Sequence, residues 1–457
     1  MKIIIVGAGI CGLSTYLHLR KHLSSEHSII IYESHAPRFY ASKYPPTPAD
    51  VDTSPEGFNL DDLSKSTVLV GGGLGISPNG LGVLRRLDPE LHAAVIEQGF
   101  KAEHYVFKGA NGWTLGKQKT SDKGVHPDSV EEEATVASSR HGLWETIRKY
   151  VGDGVVQYRR ITHVERDEET GKTIVKGIDG EGNTIDDVAD LLIGADGSRS
   201  IVRTALFGTD EKYQAYYLSV LGLYPAHSKL TTYSGQSGVG GFLRTEIPDE
   251  ILQDRRMVFT FGRNGFFGYS SAGPPSAKSL MWWSTFETSN LPQTKAIDSA
   301  SIKQELRDRH KNWKDPILHT VLDHAEVESI YPTWVVPELP HWGENGIVLV
   351  GDAAHALDPT TGQGASQALE DSETLSLLLA RCLKLGEDGK LNEREANALA
   401  IKLFHEIRGP RIHKIVERGK KISGQKGNMS IVAEYFMYFF LWTVIHVPAI
   451  GMFKQMI

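Results

Sequence analysis

The chain has 457 residues, beyond the roughly 250–300 at which one hydrophobic core stops growing, so two structural domains are expected. With 40% hydrophobic and 23% charged residues, the composition excludes a disordered, collagen-like or multi-span membrane chain. Lys+Arg of 49 against Asp+Glu of 56 gives a formal charge of −7, with no contiguous cationic block, which argues against a nucleic-acid partner. The two cysteines, Cys11 and Cys382, are too few for a disulfide framework, and without a CxxC pair no metal site is expected.

The chain opens on a β-rich run, Lys2–Val6, with no basic segment before it, so no cleaved leader is expected. Gly7-Ala8-Gly9-Ile10-Cys11-Gly12 follows, Leu13–Leu23 has a helical pattern, and Ile29–Tyr32 is an apolar strand ending at Glu33. Strand, glycine turn, helix and strand form a βαβ unit with parallel pairing. Glycines at Gly7, Gly9 and Gly12 allow a tight turn and close backbone approach, so helix N–H groups can reach a pyrophosphate. A carboxylate at Glu33, twenty-one residues after Gly12, can accept from ribose hydroxyls and would repel a 2′-phosphate. This first motif suits NAD and FAD alike.

His35 to Lys65, with Pro37, Pro45, Pro46, Pro48 and Pro55, is expected to be a long loop or lid. Val68–Val70 resumes a strand before Gly71-Gly72-Gly73-Leu74-Gly75, and Asn79–Leu87 looks helical. Lys117–Thr135 is polar enough for a surface insertion, and Arg140–Tyr150 is expected to be a helix. Thr162–Asp187 has the turns of a β-meander. Tyr213–Glu287 is rich in Tyr, Phe, Trp, Ser and Thr, which is sheet composition. Helices are expected at Ile302–Lys311, Gly364–Leu385 and Glu393–Arg408.

Two further motifs place an acid after an apolar strand. Leu191-Leu192-Ile193 leads into Gly194-Ala195-Asp196-Gly197, and then a helix start with Arg199 and Arg203. Gly346–Val350 leads into Gly351-Asp352-Ala353-Ala354-His355, followed by Gly362-Gln363-Gly364-Ala365. Asp352 in that place suits a ribityl hydroxyl. The helix N-terminus at Gly364 and Ala365 suits the electron-rich edge of a flavin, whose reduced, anionic form its partial positive charge would stabilise.

In this order and spacing, the three motifs resemble those of the group A flavoprotein monooxygenases, with the p-hydroxybenzoate hydroxylase fold. They are similar to fungal natural-product members, over Met1 to about Gly427. The resemblance implies an α/β fold: a Rossmann-like FAD-binding domain, an inserted mainly antiparallel β-sheet substrate domain and a C-terminal helical region. It implies that Gly7, Gly9, Gly12 and Glu33 hold the ADP half of FAD, and that Gly72 and Gly73 lie beside the flavin. It implies further that Arg140 reaches the pyrophosphate and that Asp352, Gly364 and Ala365 contact ribityl and flavin. Asp196 either serves cofactor binding or caps the following helix; His355 is expected to be a structural hydrogen-bonder, and Cys11 a small residue of the flavin helix. Oxygen transfer in the family proceeds through a flavin C4a-hydroperoxide, with NAD(P)H as reductant and O2 as oxidant. It needs no strong acid–base side chain, so no catalytic residue is assigned.

Two departures bear on the substrate. Leu357-Asp358-Pro359 follows His355 and Ala356 where the family often has Pro-Pro, which puts a carboxylate near the substrate side, and Leu221-Gly222 stands where many fungal members have Arg-Gly. The expected reaction is hydroxylation or epoxidation of a hydrophobic aromatic or polycyclic small molecule in secondary metabolism. A tetracycline-inactivating monooxygenase or a non-catalytic flavin-binding, membrane-associated protein is the rival reading. Expected boundaries are 1–212 and 341–427 for the two parts of the FAD-binding domain, 213–340 for the substrate domain and 428–457 for a hydrophobic tail. The uncharged run Tyr435–Phe453 is borderline for a span, and Pro448 interrupts it. Docking or shallow membrane contact is therefore expected, on a protein otherwise placed in the cytoplasm.

Overall fold

Apolar runs without polar alternation make strands that are buried on both faces. The computed structural model describes residues 1–35, 72–121, 133–167, 169–208, 232–287, 298–325, 327, 330–423 and 429–447. In it, Lys2–Val6 lies between Ser28–Glu33 and Leu191–Gly194, and Ile347–Leu349 pairs with Leu191–Gly194, all in parallel. Ile3, Ile4, Ile5, Leu191, Leu192, Ile193 and Leu349 are wholly shielded from solvent. Val156–Arg166 pairs in parallel with Ser28–Glu33 and then leads the antiparallel meander through Thr173–Asp179 and Thr184–Ala189. Gly343–Glu344 completes this eight-stranded sheet at the other edge. Strands from the two ends of the chain thus share one sheet.

A seven-stranded sheet is built from Thr232–Arg244, Arg256–Gly262, Gly265–Ser271, Ser279–Glu287 and Tyr331–Val335, together with His104–Gly109 and Thr114–Lys119. The last two strands precede the aromatic segment in sequence, and composition alone did not signal that they join it. All pairings are antiparallel except that of His104–Gly109 with Arg256–Gly262. Register sorts the aromatic residues by face. Phe267, Tyr269, Trp282 and Phe286 share one face and pack under the helices Ser299–His310 and Pro316–His324. Phe107, Phe259, Phe261, Phe266 and Trp283 lie on the other. Phe261 and Phe266 are buried there beneath a C-terminal helix, whereas Phe242, Phe259 and Trp283 stay half-exposed.

The C-terminal helix, Ile431–His446, is docked. Met437, Tyr438 and Leu441 pack on Phe107, Phe261 and Phe266. The Tyr438 hydroxyl accepts from the Ala110 N–H at 2.9 Å and lies 2.5 Å from the Glu434 carboxylate. Among the described residues, no helix is long and apolar enough to cross a membrane. The expected helix at Glu393–Arg408 runs on through Pro410 to Ser423. Proline removes one backbone donor, but Arg408 and Arg411 on either side of it are tied to Glu370 on the neighbouring helix Gly364–Glu387. The loop from Pro37 to Lys65, the strand Val68–Val70, Leu221, Pro448 and most of the 117–135 insertion lie outside the described residues.

The helix Ile10–His22 crosses the end of the first strand so closely that a Cβ on Gly12 would sit 1.9 Å from the Gly7 carbonyl oxygen. Gly9 has no atom within 4 Å of such a position. Gly12→Ala should therefore cost about 1–3 kcal/mol of stability by overpacking, whereas Gly9→Ala should cost less than about 1 kcal/mol. Urea midpoints of the two variants check this, and equal midpoints would contradict it.

Candidate functional site

Parallel strands deliver their carboxyl ends to one edge of a sheet, and ligands of open α/β folds bind there. Gly7, Glu33, Ala195-Asp196 and, one residue on, Gly351-Asp352 stand at the ends of four adjacent strands. Gly7 has φ +103°, and a Cβ there would meet the Ala195 carbonyl at 2.5 Å, so two strand-end turns nest against each other. The first helical bond is Leu13 N–H to the Gly9 carbonyl at 3.0 Å, so the N–H groups just before it have no intrahelical acceptor. Cys11 is buried behind this turn against Gly351 and Ala368; burial pushes its thiol far up, so it is packing and not a nucleophile.

Glu33 accepts from the Ala8 N–H at 2.7 Å and the His35 N–H at 3.1 Å. Burial opposes its ionisation, but the hydrogen bonds from the His35 side chain and these two N–H groups outweigh burial and hold its carboxyl below the usual range. Its two oxygens keep lone pairs for a further donor. Trp144, on the helix Arg140–Tyr150, donates to the Ala8 carbonyl at 2.7 Å. Arg140 is one turn earlier on that face, exposed, and without an ion pair among the described residues.

Asp196 caps the helix Ile201–Phe207, its Oδ2 accepting from Ile201 N–H at 2.7 Å and Val202 N–H at 3.2 Å. Its Oδ1 is buried with no partner, and burial raises its carboxyl above the usual range. Capping thus uses one oxygen, and the other has no hydrogen bond among the described residues. Arg203, from the same motif, is buried and donates to the Ala353 carbonyl at 2.7 Å and to the Ser198 carbonyl, joining the second motif to the third. Asp352 is exposed beyond its strand end and has no hydrogen bond among the described residues.

The turn that presents Asp352 is held from below. Asp371 Oδ2 accepts from Gly351 N–H at 2.9 Å and pairs with His355 Nε2 at 2.6 Å, while Oδ1 accepts from Arg408 Nε at 2.8 Å. Burial alone would raise this carboxyl; the His355 and Arg408 charges and hydrogen bonds outweigh burial and bring it down to about 2. His355 is thus a structural partner. Asp371, Arg408, Arg203 and Trp144 were not singled out as site residues; an acid on the apolar side of a helix, between Leu369 and Leu375, was the available signal for Asp371.

The helix Gly364–Glu387 starts without a side-chain cap, and a Cβ at Gly364 would meet nothing within 4 Å. Ser366 Oγ accepts from Ser77 N–H at 3.0 Å, and Gln363 donates to Ser77 Oγ at 3.0 Å, which fixes the second glycine segment against this helix start. Gly73 packs on Met281 of the seven-stranded sheet, and Gly72 is open. Asp358 caps the turn Pro359–Thr361 through Thr360 N–H at 2.8 Å, so that carboxylate has a structural task.

A family model described as FAD binding domain matches residues 147–403, more than half of the chain. The chain belongs to the FAD-dependent monooxygenases. It is 27% identical over 368 residues to the 6-hydroxynicotinate 3-monooxygenase of Pseudomonas fluorescens, covering 79% of this chain and 84% of that protein. It is 26% identical over 331 residues to the aurachin C monooxygenase/isomerase of Stigmatella aurantiaca, covering 72% and 74%. The Klebsiella pneumoniae HpxO structure complexed with FAD and uric acid superposes with a TM-score of 0.64 at 17% identity, covering 100% of this chain and 91% of that one. This monooxygenase is an oxidoreductase that uses FAD.

Asp371→Asn should lower the unfolding free energy of this flavoprotein by about 1–3 kcal/mol at neutral pH, because a neutral amide replaces the charged acceptor shared by Gly351, His355 and Arg408, while Arg408 keeps Glu370. A depressed carboxyl contributes stability that is fully present above its unfolded value of 3.8 and lost as pH falls toward about 2. The gap between wild type and variant should therefore narrow over that window, read as urea midpoints at successive pH values. A gap that does not change would contradict the ion-pair account.

Proposed function

We propose that this protein uses NAD(P)H and O2 to hydroxylate or epoxidise a hydrophobic aromatic or polycyclic small molecule, in secondary metabolism. The observation that carries the reading is the meeting of two surfaces. The glycine segment beside the strand-end edge packs, through Gly73, on Met281, and Met281 lies on the same face as the half-exposed Phe242, Phe259 and Trp283. Gly268 lets the Trp283 indole lie flat on the sheet, since a Cβ there would be 2.3 Å from the ring. Phe259 meets Tyr105 edge-on at 5.4 Å and Trp283 at 5.9 Å, giving a wall of ring faces and edges with no charge.

The residues present fit FAD. Gly9 leaves open space where backbone must approach a pyrophosphate, and Arg140 supplies a cation without an ion pair among the described residues on the adjoining helix face. Glu33 has capacity for ribose hydroxyls, and the orphaned Asp196 Oδ1 and the exposed Asp352 carboxylate await donors. The uncapped helix start at Gly364 and Ala365 offers N–H groups and a partial positive charge to a flavin edge, while Gly72 and Gly73 keep the opposite side slim. FAD, when bound, supplies the transfer of electrons from nicotinamide to dioxygen. The chain's own work is to orient, to exclude water and to hold the substrate against the aromatic wall.

Asp352→Asn should weaken FAD retention about 10–100-fold, the worth of a hydrogen bond to a charged acceptor, and Gly9→Ala should lower it without loss of fold. The ratio of flavin to protein absorbance after desalting measures both; full occupancy in both would defeat the assignment. Neutral polycyclic ligands should accelerate flavin reduction by NAD(P)H, and Trp283→Ala should raise their KM about 3–10-fold with little change in kcat. Preference for small charged benzoates in the same stopped-flow assay would count against the substrate class.

A further inference from the structure

The helix Ile431–His446 has two apolar sides, and the fold uses one. Glu434, Met437, Tyr438 and Leu441 face the seven-stranded sheet at a spacing of three and four residues, and Ile445 follows them onto Gly116. The other stripe is Val432, Phe436, Phe439 and Trp442, also three and four apart, flanked by Phe440. Phe436 is 69% exposed and Phe439 66%. Most of the large apolar side chains exposed among the described residues lie on this single helix, and scattered exposure does not account for that. Trp113, 58% exposed in the loop between His104–Gly109 and the edge strand Thr114–Lys119, meets Tyr435 edge-on at 5.7 Å and widens the patch.

Two cations stand at the rim of the patch. Glu434 is the sole acid of the helix; it is turned inward, beside the Tyr438 hydroxyl and the Arg263 N–H. Arg263 stands at the start of the helix, where its carbonyl accepts from Met429 N–H at 3.1 Å. Lys314 stands beside the Trp113 loop, its side chain 3.1 Å from where a Cβ on Gly112 would be. Both cations are exposed and have no ion pair among the described residues.

We infer that the outward face of Ile431–His446, with Trp113, rests on the surface of an anionic lipid bilayer, with Arg263 and Lys314 against the headgroups. Trp, Tyr and Phe in a stripe without carboxylates have the composition of a helix lying in the headgroup layer. Basic residues at the rim favour acidic lipids. The helix is too short to span, which leaves it in the plane of the interface. Its inner side covers Phe261 and Phe266, next to Phe259 and Trp283, so the lipid-facing helix borders the aromatic wall. This last step rests on the substrate reading above; lipid binding itself does not.

Co-sedimentation of the full FAD-loaded chain with vesicles tests it. Wild type should pellet with vesicles of phosphatidylcholine and phosphatidylserine and only weakly with phosphatidylcholine alone. Phe436→Ser/Phe439→Ser/Trp442→Ser should bind the mixed vesicles at least about tenfold more weakly, since each loses several buried CH2 equivalents. Arg263→Glu/Lys314→Glu should lose the preference for the acidic lipid. Flavin content and urea midpoint, unchanged in the serine variant, would show that its fold is intact. Equal sedimentation of wild type and the serine variant would overturn the proposal. So would a wild-type dimer in analytical ultracentrifugation that the serine variant abolishes, with no vesicle binding by either; the face would then be an interface between two copies.

Discussion

One buried carboxylate fixes the turn from which the third acid projects. Asp371 takes three hydrogen bonds, two from the third motif, at the Gly351 backbone and His355, and one from Arg408 on the helix Glu393–Ser423. Gly351 adopts φ +57°, and a side chain there would strike Cys11 of the first helix. The turn is thus pinned between the first glycine motif on one side and Asp371 on the other. Arg203 completes the frame by holding Ala353, the residue after Asp352, to the second motif. Remove Asp371, and the turn that projects Asp352 keeps only the Arg203 bond and its packing on Cys11.

A buried ion pair is a costly way to hold a turn, and an apolar replacement of equal volume often does no worse for stability. Here the demand is directional. An N–H at Gly351 must be met inside the protein, or it would compete for ligand oxygens. A carboxylate meets it while its second oxygen still binds Arg408. Arg408 in turn bonds Gln367 Oε1 at 2.7 Å, and Arg411 grips Glu370 with two bonds of 2.6 Å. Glu370 also accepts from Asn79 at 2.7 Å, so the chain of contacts returns to the second glycine segment. The long helix survives Pro410 because these bonds hold it on both sides of the break.

The strand-end acids were legible in the sequence because their signal is local: apolar strand, glycine, acid, within about ten residues. The clamp was not, because Asp371 and Arg408 are thirty-seven residues apart, and only packing of two helices makes them neighbours. The strands His104–Gly109 and Thr114–Lys119 were missed for the same reason: the first joins the sheet through Arg256–Gly262, more than a hundred residues later, and the second pairs with the first. In the aromatic sheet, period-two alternation assigns residues to two sets but does not say which set is covered. Both sets here are aromatic, and the cover on each comes from helices elsewhere in the chain.

That division of the sheet explains how one layer can be both rigid and receptive. The covered face carries Lys108, Asp315, Tyr269 and Glu250 in a bonded cluster, with Lys108 Nζ 3.0 Å from Asp315 and 2.9 Å from Glu250, so the strands cannot slide under the helices. The opposite face carries Gly240 and Gly268 where side chains would obstruct Trp283. Glycines there weaken the strands, and the polar cluster beneath offsets that weakness. The C-terminal helix then covers only the part of this face over Phe261 and Phe266, which would otherwise expose more apolar surface than the half-exposed wall beside it. Covering all of it would have closed the wall, and covering none would have left a sheet face open to aggregation. The helix leaves uncovered the stretch of Phe259 and Trp283, on the face whose Met281 meets the glycine segment at Gly73.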